Sequence, residues 1–128
     1  MAELPWMKMY TGDHLRDTHH LSWEEQGVLL LLMIAAWNEP GCQIPDDEAW
    51  IRRRLRASEE DFARVVKPVL DEFFTAEDGY LFHKAQRAEY LEALAEYEKK
   101  SERGRKAANA RWNNGRGTEN ADQFEAPF

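Results

Sequence analysis

Residues 21–37, LSWEEQGVLLLLMIAAW, constrain this chain more than any other stretch. From Val28 to Trp37 there is no charged side chain, and the Trp37 indole is the only strong hydrogen-bonding group. A helix of this composition is expected to be kept from water around nearly its whole circumference. It is too short for a bilayer span, which takes roughly 20 apolar residues, and Glu24, Glu25 and Gln26 directly precede it. The stretch therefore reads as a central core helix. Ser22 with Glu25 three residues on fits a capping box, in which hydroxyl and carboxylate satisfy the free N–H groups of the first turn. Both glutamates also suit the positive end of the helix dipole.

The other segments are read against that helix. Trp6 to Tyr10 alternates large apolar residues around Lys8 and predicts a short edge strand. Thr11 to His20 is polar and turn-rich, and predicts a loop. His14, Asp17, His19 and His20 can be drawn as a metal site, but no second ligand cluster of the usual spacing follows, so a hydrogen-bonded loop and no metal are expected. Pro40 and Gly41 end the core helix. Ile44-Pro45-Asp46 then opens a second helix, in which Trp50, Ile51 and Leu55 form an apolar stripe while Arg52, Arg53, Arg54 and Arg56 occupy the rest of the surface. Ser58 with Asp61 starts a third helix, whose Phe62, Val65, Val66, Val69, Leu70 and Phe73 follow one helical face. Pro68 lies off that face and is expected to bend the helix. Phe73 to His83 reads as a β-hairpin around Asp78-Gly79.

From Lys84 a helical pattern runs at least to Lys100 and as far as Trp112, with Ala85, Ala88, Leu91, Leu94 and Ala95 on one side. Its second half has too few large apolar residues to bury a face and contains Gly104, so its helicity should be marginal without a partner. Residues 117–128 read as a disordered tail. The expected division is thus residues 1–98, a basic helical extension over 99–116, and the tail.

The net charge of −7 conceals a strong segregation. Residues 1–98 carry −10, residues 99–116 carry +6 and residues 117–128 carry −3. A concentrated basic segment attracts phosphate or an acidic partner whatever the net charge of the chain. The single cysteine, Cys42, allows no internal disulfide and suits a reducing cytoplasm. The N-terminus has no basic region followed by an apolar core, so no signal peptide is expected. There is no glycine-rich phosphate loop, no H-E-x-x-H and no nucleophile motif with a base, which predicts a non-enzymatic protein without cofactors.

Several segments together carry a resemblance. They are W-x-x-x-Y-x-G-D at Trp6 to Asp13, D-T-x-x-L-S-x-E-E-x-G at Asp17 to Gly27, the Pro-Asp-Asp turn at 45–47, F-F-x-x-x-D-G at Phe73 to Gly79, and G-R-K-A-A-N-A-R-W at Gly104 to Trp112. In this order they resemble the YdaU-like (DUF1376) family of phage and prophage proteins, which is similar to the N-terminal region of phage replication initiation proteins. The resemblance covers residues 6–112. It implies a mainly α fold with a small β-hairpin (α+β), a winged helix-turn-helix domain followed by a long C-terminal helix, acting in phage DNA replication or its control.

The leading expectation is a DNA-binding protein. The third helix presents Glu59, Glu60 and Asp61 in its first turn and the hairpin tip is Glu77-Asp78, which disfavours insertion of either into a groove between phosphates. Phosphate contacts are therefore assigned to Arg52, Arg53, Arg54 and Arg56 and to Lys99, Lys100, Arg103, Arg105, Lys106 and Arg111, with Arg64 and Lys67 secondary. Trp112 is placed to stack on a base. The alternative is an interaction adaptor that docks replication proteins through its C-terminal helix. An acidic body and a basic segment on one chain also favour pairing between copies, so a homo-oligomer is expected.

Overall fold

A computed structural model describes residues 4–116. The elements are α1 (Thr11–Thr18), α2 (Trp23–Trp37), β1 (Ile44–Pro45), α3 (Glu48–Leu55), α4 (Glu59–Asp61), a π-helical turn (Phe62–Val66), α5 (Lys67–Phe73), β2 (Thr75–Glu77), β3 (Tyr80–Phe82) and α6 (Lys84–Arg116). The fold is mainly helical, with a three-stranded antiparallel sheet in the order β1-β3-β2 and a long C-terminal helix. The chain divides into two units between Leu91 and Glu92. The expected tail at 117–128 lies outside the described residues.

The capping box at the start of α2 is formed: the Glu25 N–H donates to Ser22 Oγ at 3.1 Å, and the Ser22 N–H donates to Glu25 Oε1 at 2.8 Å. Leu29, Leu32, Met33, Ala36 and Trp37 are buried from this helix. They pack toward α3, the π turn and α5. Tyr90 closes edge-on over Trp37 with ring centroids 5.4 Å apart, and the Trp37 indole N–H donates to the Leu4 carbonyl at 2.7 Å.

The expectation that α2 is shielded all round is corrected. Trp23, Leu30, Leu31 and Ile34 are exposed. The helix packs on one side only, and the described residues supply no second layer for its other side.

Two further expectations fail near the N-terminus. Trp6 to Tyr10 forms no strand, and Thr11 to Thr18 is a helix, not a loop. Of α1 only Thr18 is buried. Its hydroxyl donates to the His14 carbonyl at 2.7 Å, and its own carbonyl accepts from Gln26 Nε2 at 2.7 Å. This helix is held by side-chain-to-backbone bonds and one buried residue, so it leaves no apolar periodicity to read.

Ile44 and Pro45 do not open a helix. They form an edge strand, pairing Ile44 with Leu81 and Pro45 with Tyr80. An edge tolerates a proline, which has no N–H to give to a ladder. Asp47 caps α3 instead, its Oδ1 accepting from the N–H groups of Ala49 at 2.9 Å and Trp50 at 3.3 Å. The hairpin is tightened by Asp78 and Gly79, at φ 52° and 82°, the left-handed pair that a two-residue turn requires.

The expected bend at Pro68 takes a specific form. Just before the proline the helix widens by one residue, so that the Lys67 N–H donates to the Phe62 carbonyl. A regular turn would press the proline ring onto the carbonyl of Arg64, four residues back. A π turn absorbs that conflict while keeping Phe62, Val65, Val66, Val69 and Leu70 buried.

Candidate nucleic-acid interface

The arginines of α3 are divided by their surroundings. Arg52 is half-buried and works within the fold: its Nε donates to the Ala57 carbonyl at 3.2 Å, and its guanidinium lies 3.8 Å from Glu48. It closes the turn after α3, where Arg56 is left-handed at φ 56° and the Ala57 N–H donates back to the Arg52 carbonyl at 2.9 Å. Arg54 lies over the Trp50 ring, 4.4 Å from its centroid, and 3.8 Å from Glu39. Arg53 and Arg56 are exposed and make no ion pair among the described residues.

Arg64 and Lys67 are neutralised. Arg64 makes a two-pronged contact with Glu24, both bonds at 3.1 Å, and a third bond to Asp61 at 3.0 Å. Its hydrogen bonds hold Glu24 and Asp61 below their ordinary values, and the two carboxylates in turn push the Arg64 value up. Lys67 donates to Asp71 at 2.8 Å, which raises the lysine value. A phosphate would have to displace these carboxylates to reach either cation.

In the unit that begins at Glu92, the basic residues lie on α6, which is helical through Gly104. Lys99 sits 4.0 Å from Glu96, and Arg105 bonds Glu102. Lys100, Arg103, Lys106 and Arg111 are exposed and without an ion pair among the described residues. Lys99, Arg103 and Lys106 are spaced i, i+4, i+7 along one helical stripe, covering about 10 Å of axis. Trp112 is half exposed.

No group of three or more His, Cys, Asp or Glu side chains among the described residues is arranged to hold a metal ion. The His19 ring contacts the Arg16 carbonyl, while His20 Nε2 lies 2.7 Å from Glu72. A cavity of about 240 Å³ is lined by residues including Met7, His14, Asp17, Met33, His83 and Gln86. In it His83 is held below its ordinary value, mainly by burial, with the charge of His14 acting in the same direction. Its Nδ1 accepts from the Gln86 N–H at 3.2 Å and so caps α6. Burial pushes the Cys42 thiol up to about 12, an unreactive state. No helix among the described residues is long and apolar enough to cross a membrane.

Sequence reasoning missed the outer face of α2. Trp23, Gly27, Leu31, Leu55 and Val65 line an open groove of about 330 Å³ there, flanked by Glu24, Arg56, Asp61 and Arg64. The signal was present: Trp23, Leu30, Leu31 and Ile34 share an arc opposite Leu29, Leu32 and Ala36, so the helix has two apolar faces.

Comparison with known proteins gives the chain its relatives. The uncharacterized protein YdaU of Escherichia coli is 36% identical over 111 residues, which is 87% of this chain and 38% of that protein. The chain thus spans under two fifths of the length of this relative. No solved structure matches it. The family DUF1376, described as a protein of unknown function, matches residues 5–90 and ends before the basic run from Lys99 to Arg111. With that match covering most of its length, the chain belongs to the DUF1376 family.

Proposed function

We propose that the chain is a non-enzymatic, winged-helix DNA-binding protein of phage or prophage origin, working in the initiation or control of DNA replication in the cytoplasm of a bacterial host. The observation that carries this reading is the group of exposed, unpaired cations in the second half of α6: Lys100, Arg103, Lys106 and Arg111 project from a stretch of helix with too few large apolar residues to bury a face. Such a helix gains from a phosphate backbone that relieves its internal repulsion. The order helix, strand, two helices and hairpin, with β1 pairing beside β3, supports the winged-helix form. The phage and replication setting rests on the resemblance of motifs.

Within this reading Arg53 and Arg56 contribute secondary phosphate contacts, while Arg52, Arg64 and Lys67 are structural. Anisotropy of a labelled duplex tests it with the intact protein. Replacing Lys100, Arg103 and Lys106 together by Ala should weaken binding at least about tenfold and flatten its salt dependence by about three phosphate contacts. Binding unchanged by that triple substitution refutes the assignment. A second reading, an interaction adaptor that docks through its C-terminal helix, draws on the same exposed cations of α6, which suit an acidic protein surface as well as a phosphate backbone.

A further inference from the structure

We infer that the outer face of α2 is the seat of a second copy of this chain, joined about a two-fold axis with the two α2 helices antiparallel. The inference does not depend on DNA binding.

Trp23 is 87% exposed, Leu31 54%, Ile34 44% and Leu30 41%. These four side chains leave on the order of 450 Å² of largely apolar surface in water, at the size where a contiguous patch marks a contact site. A standard interface buries about 800 Å² per partner, so the stripe supplies more than half, and its flanks and the adjoining groove supply the remainder.

The face complements itself. Gly27 lies in the middle of the stripe, and a Cβ built there meets nothing within 4 Å. With the two-fold placed midway between Val28 and Leu29, Gly27 of one copy faces Leu30 of the other, and Trp23 faces Ile34. Each leucine then enters the gap over a glycine, and the helices can approach closely. The stripe itself carries no charge. At its edge, Arg56 and Arg64 balance Glu24 and Asp61, so two identical faces meet without an excess of like charge. A strongly charged partner such as nucleic acid gains nothing from such a surface.

Sedimentation equilibrium of the intact protein tests this. The expected result is a dimer that persists in about 1 M NaCl, where charge-driven pairing between the acidic body and a basic segment is screened. Leu31→Glu with Ile34→Glu should raise the dimer dissociation constant at least about thirtyfold while leaving the helical ellipticity unchanged. A protein monomeric at about 100 µM, a dimer that dissociates in high salt, or a folded double variant that dimerises as before overturns the proposal.

Should the double variant lose its fold, the register decides the matter. Mixing a Gly27→Cys protein with a Leu30→Cys protein under mild oxidation should yield the mixed disulfide in preference to either homodisulfide. The native thiol does not compete, because Cys42 is buried. Statistical cross-linking, or none, contradicts the arrangement.

Discussion

Two adjacent leucines of α2 distinguish a one-sided helix from one enclosed all round. Leu32 is fully buried, while Leu31 is 54% exposed and borders an open groove. Truncating Leu32 to Ala removes three buried carbons, worth about 2.4 kcal/mol of transfer free energy at roughly 0.8 kcal/mol each. It also leaves a cavity in a close-packed region, which brings the expected cost to about 2–5 kcal/mol. Truncating Leu31 forfeits less than half of that transfer energy, and water fills the space, so no cavity cost arises. The expected loss is under about 1 kcal/mol. In a domain of this size each kcal/mol moves the Tm by roughly 4–8 °C. Leu32→Ala should therefore lower it by on the order of 8–40 °C and Leu31→Ala by less than about 8 °C. Urea and thermal unfolding followed by ellipticity, at low protein concentration so that association does not contribute, measure both. Equal losses, or a larger loss for Leu31→Ala, would refute the one-sided packing of α2.

Two predictions concern pH. Glu24 and Asp61 are held below their ordinary values by Arg64, so the stability they lend is present above the ordinary carboxylate range and is lost as pH falls through their lowered folded values. Arg64→Ala should flatten the acid limb of a stability–pH profile; an identical limb counts against the triad. His83 is half-buried and held below its ordinary value of 6.5, mainly by burial. Below that pH the unfolded chain takes up a proton that the folded chain does not, so stability should fall on acidification from 6.5 and level off below the folded value. His83→Asn keeps a residue able to cap α6 and should remove this step from the profile; a step of unchanged size assigns it to another group.

Much of this fold was legible in the chain because local chemistry and tertiary packing agree there. The Ser22–Glu25 box, the Asp78-Gly79 turn and the apolar face from Phe62 to Phe73 each form from residues near in sequence. The readings that failed depend on distant partners. Thr18 is buried through Gln26 and the body of the unit, so α1 has no stripe of its own. Ile44 pairs with Leu81 across the chain, and two residues are too few to alternate. The candidate site was half legible. The positions of the arginines in sequence reveal their density, whereas only the folded chain reveals that Arg64 is spent on Glu24, which lies 40 residues away. In α2, uniform apolarity hid the fact that two faces have different occupants.

The salt dependence of duplex binding tests the central claim most directly. With Lys100, Arg103, Lys106 and Arg111 engaging phosphates, a plot of log affinity against log salt for the intact protein should be linear with a slope of about −3.6, and steeper where Arg53 and Arg56 join. Absence of binding at low salt, or an affinity that does not change with salt, would contradict the account.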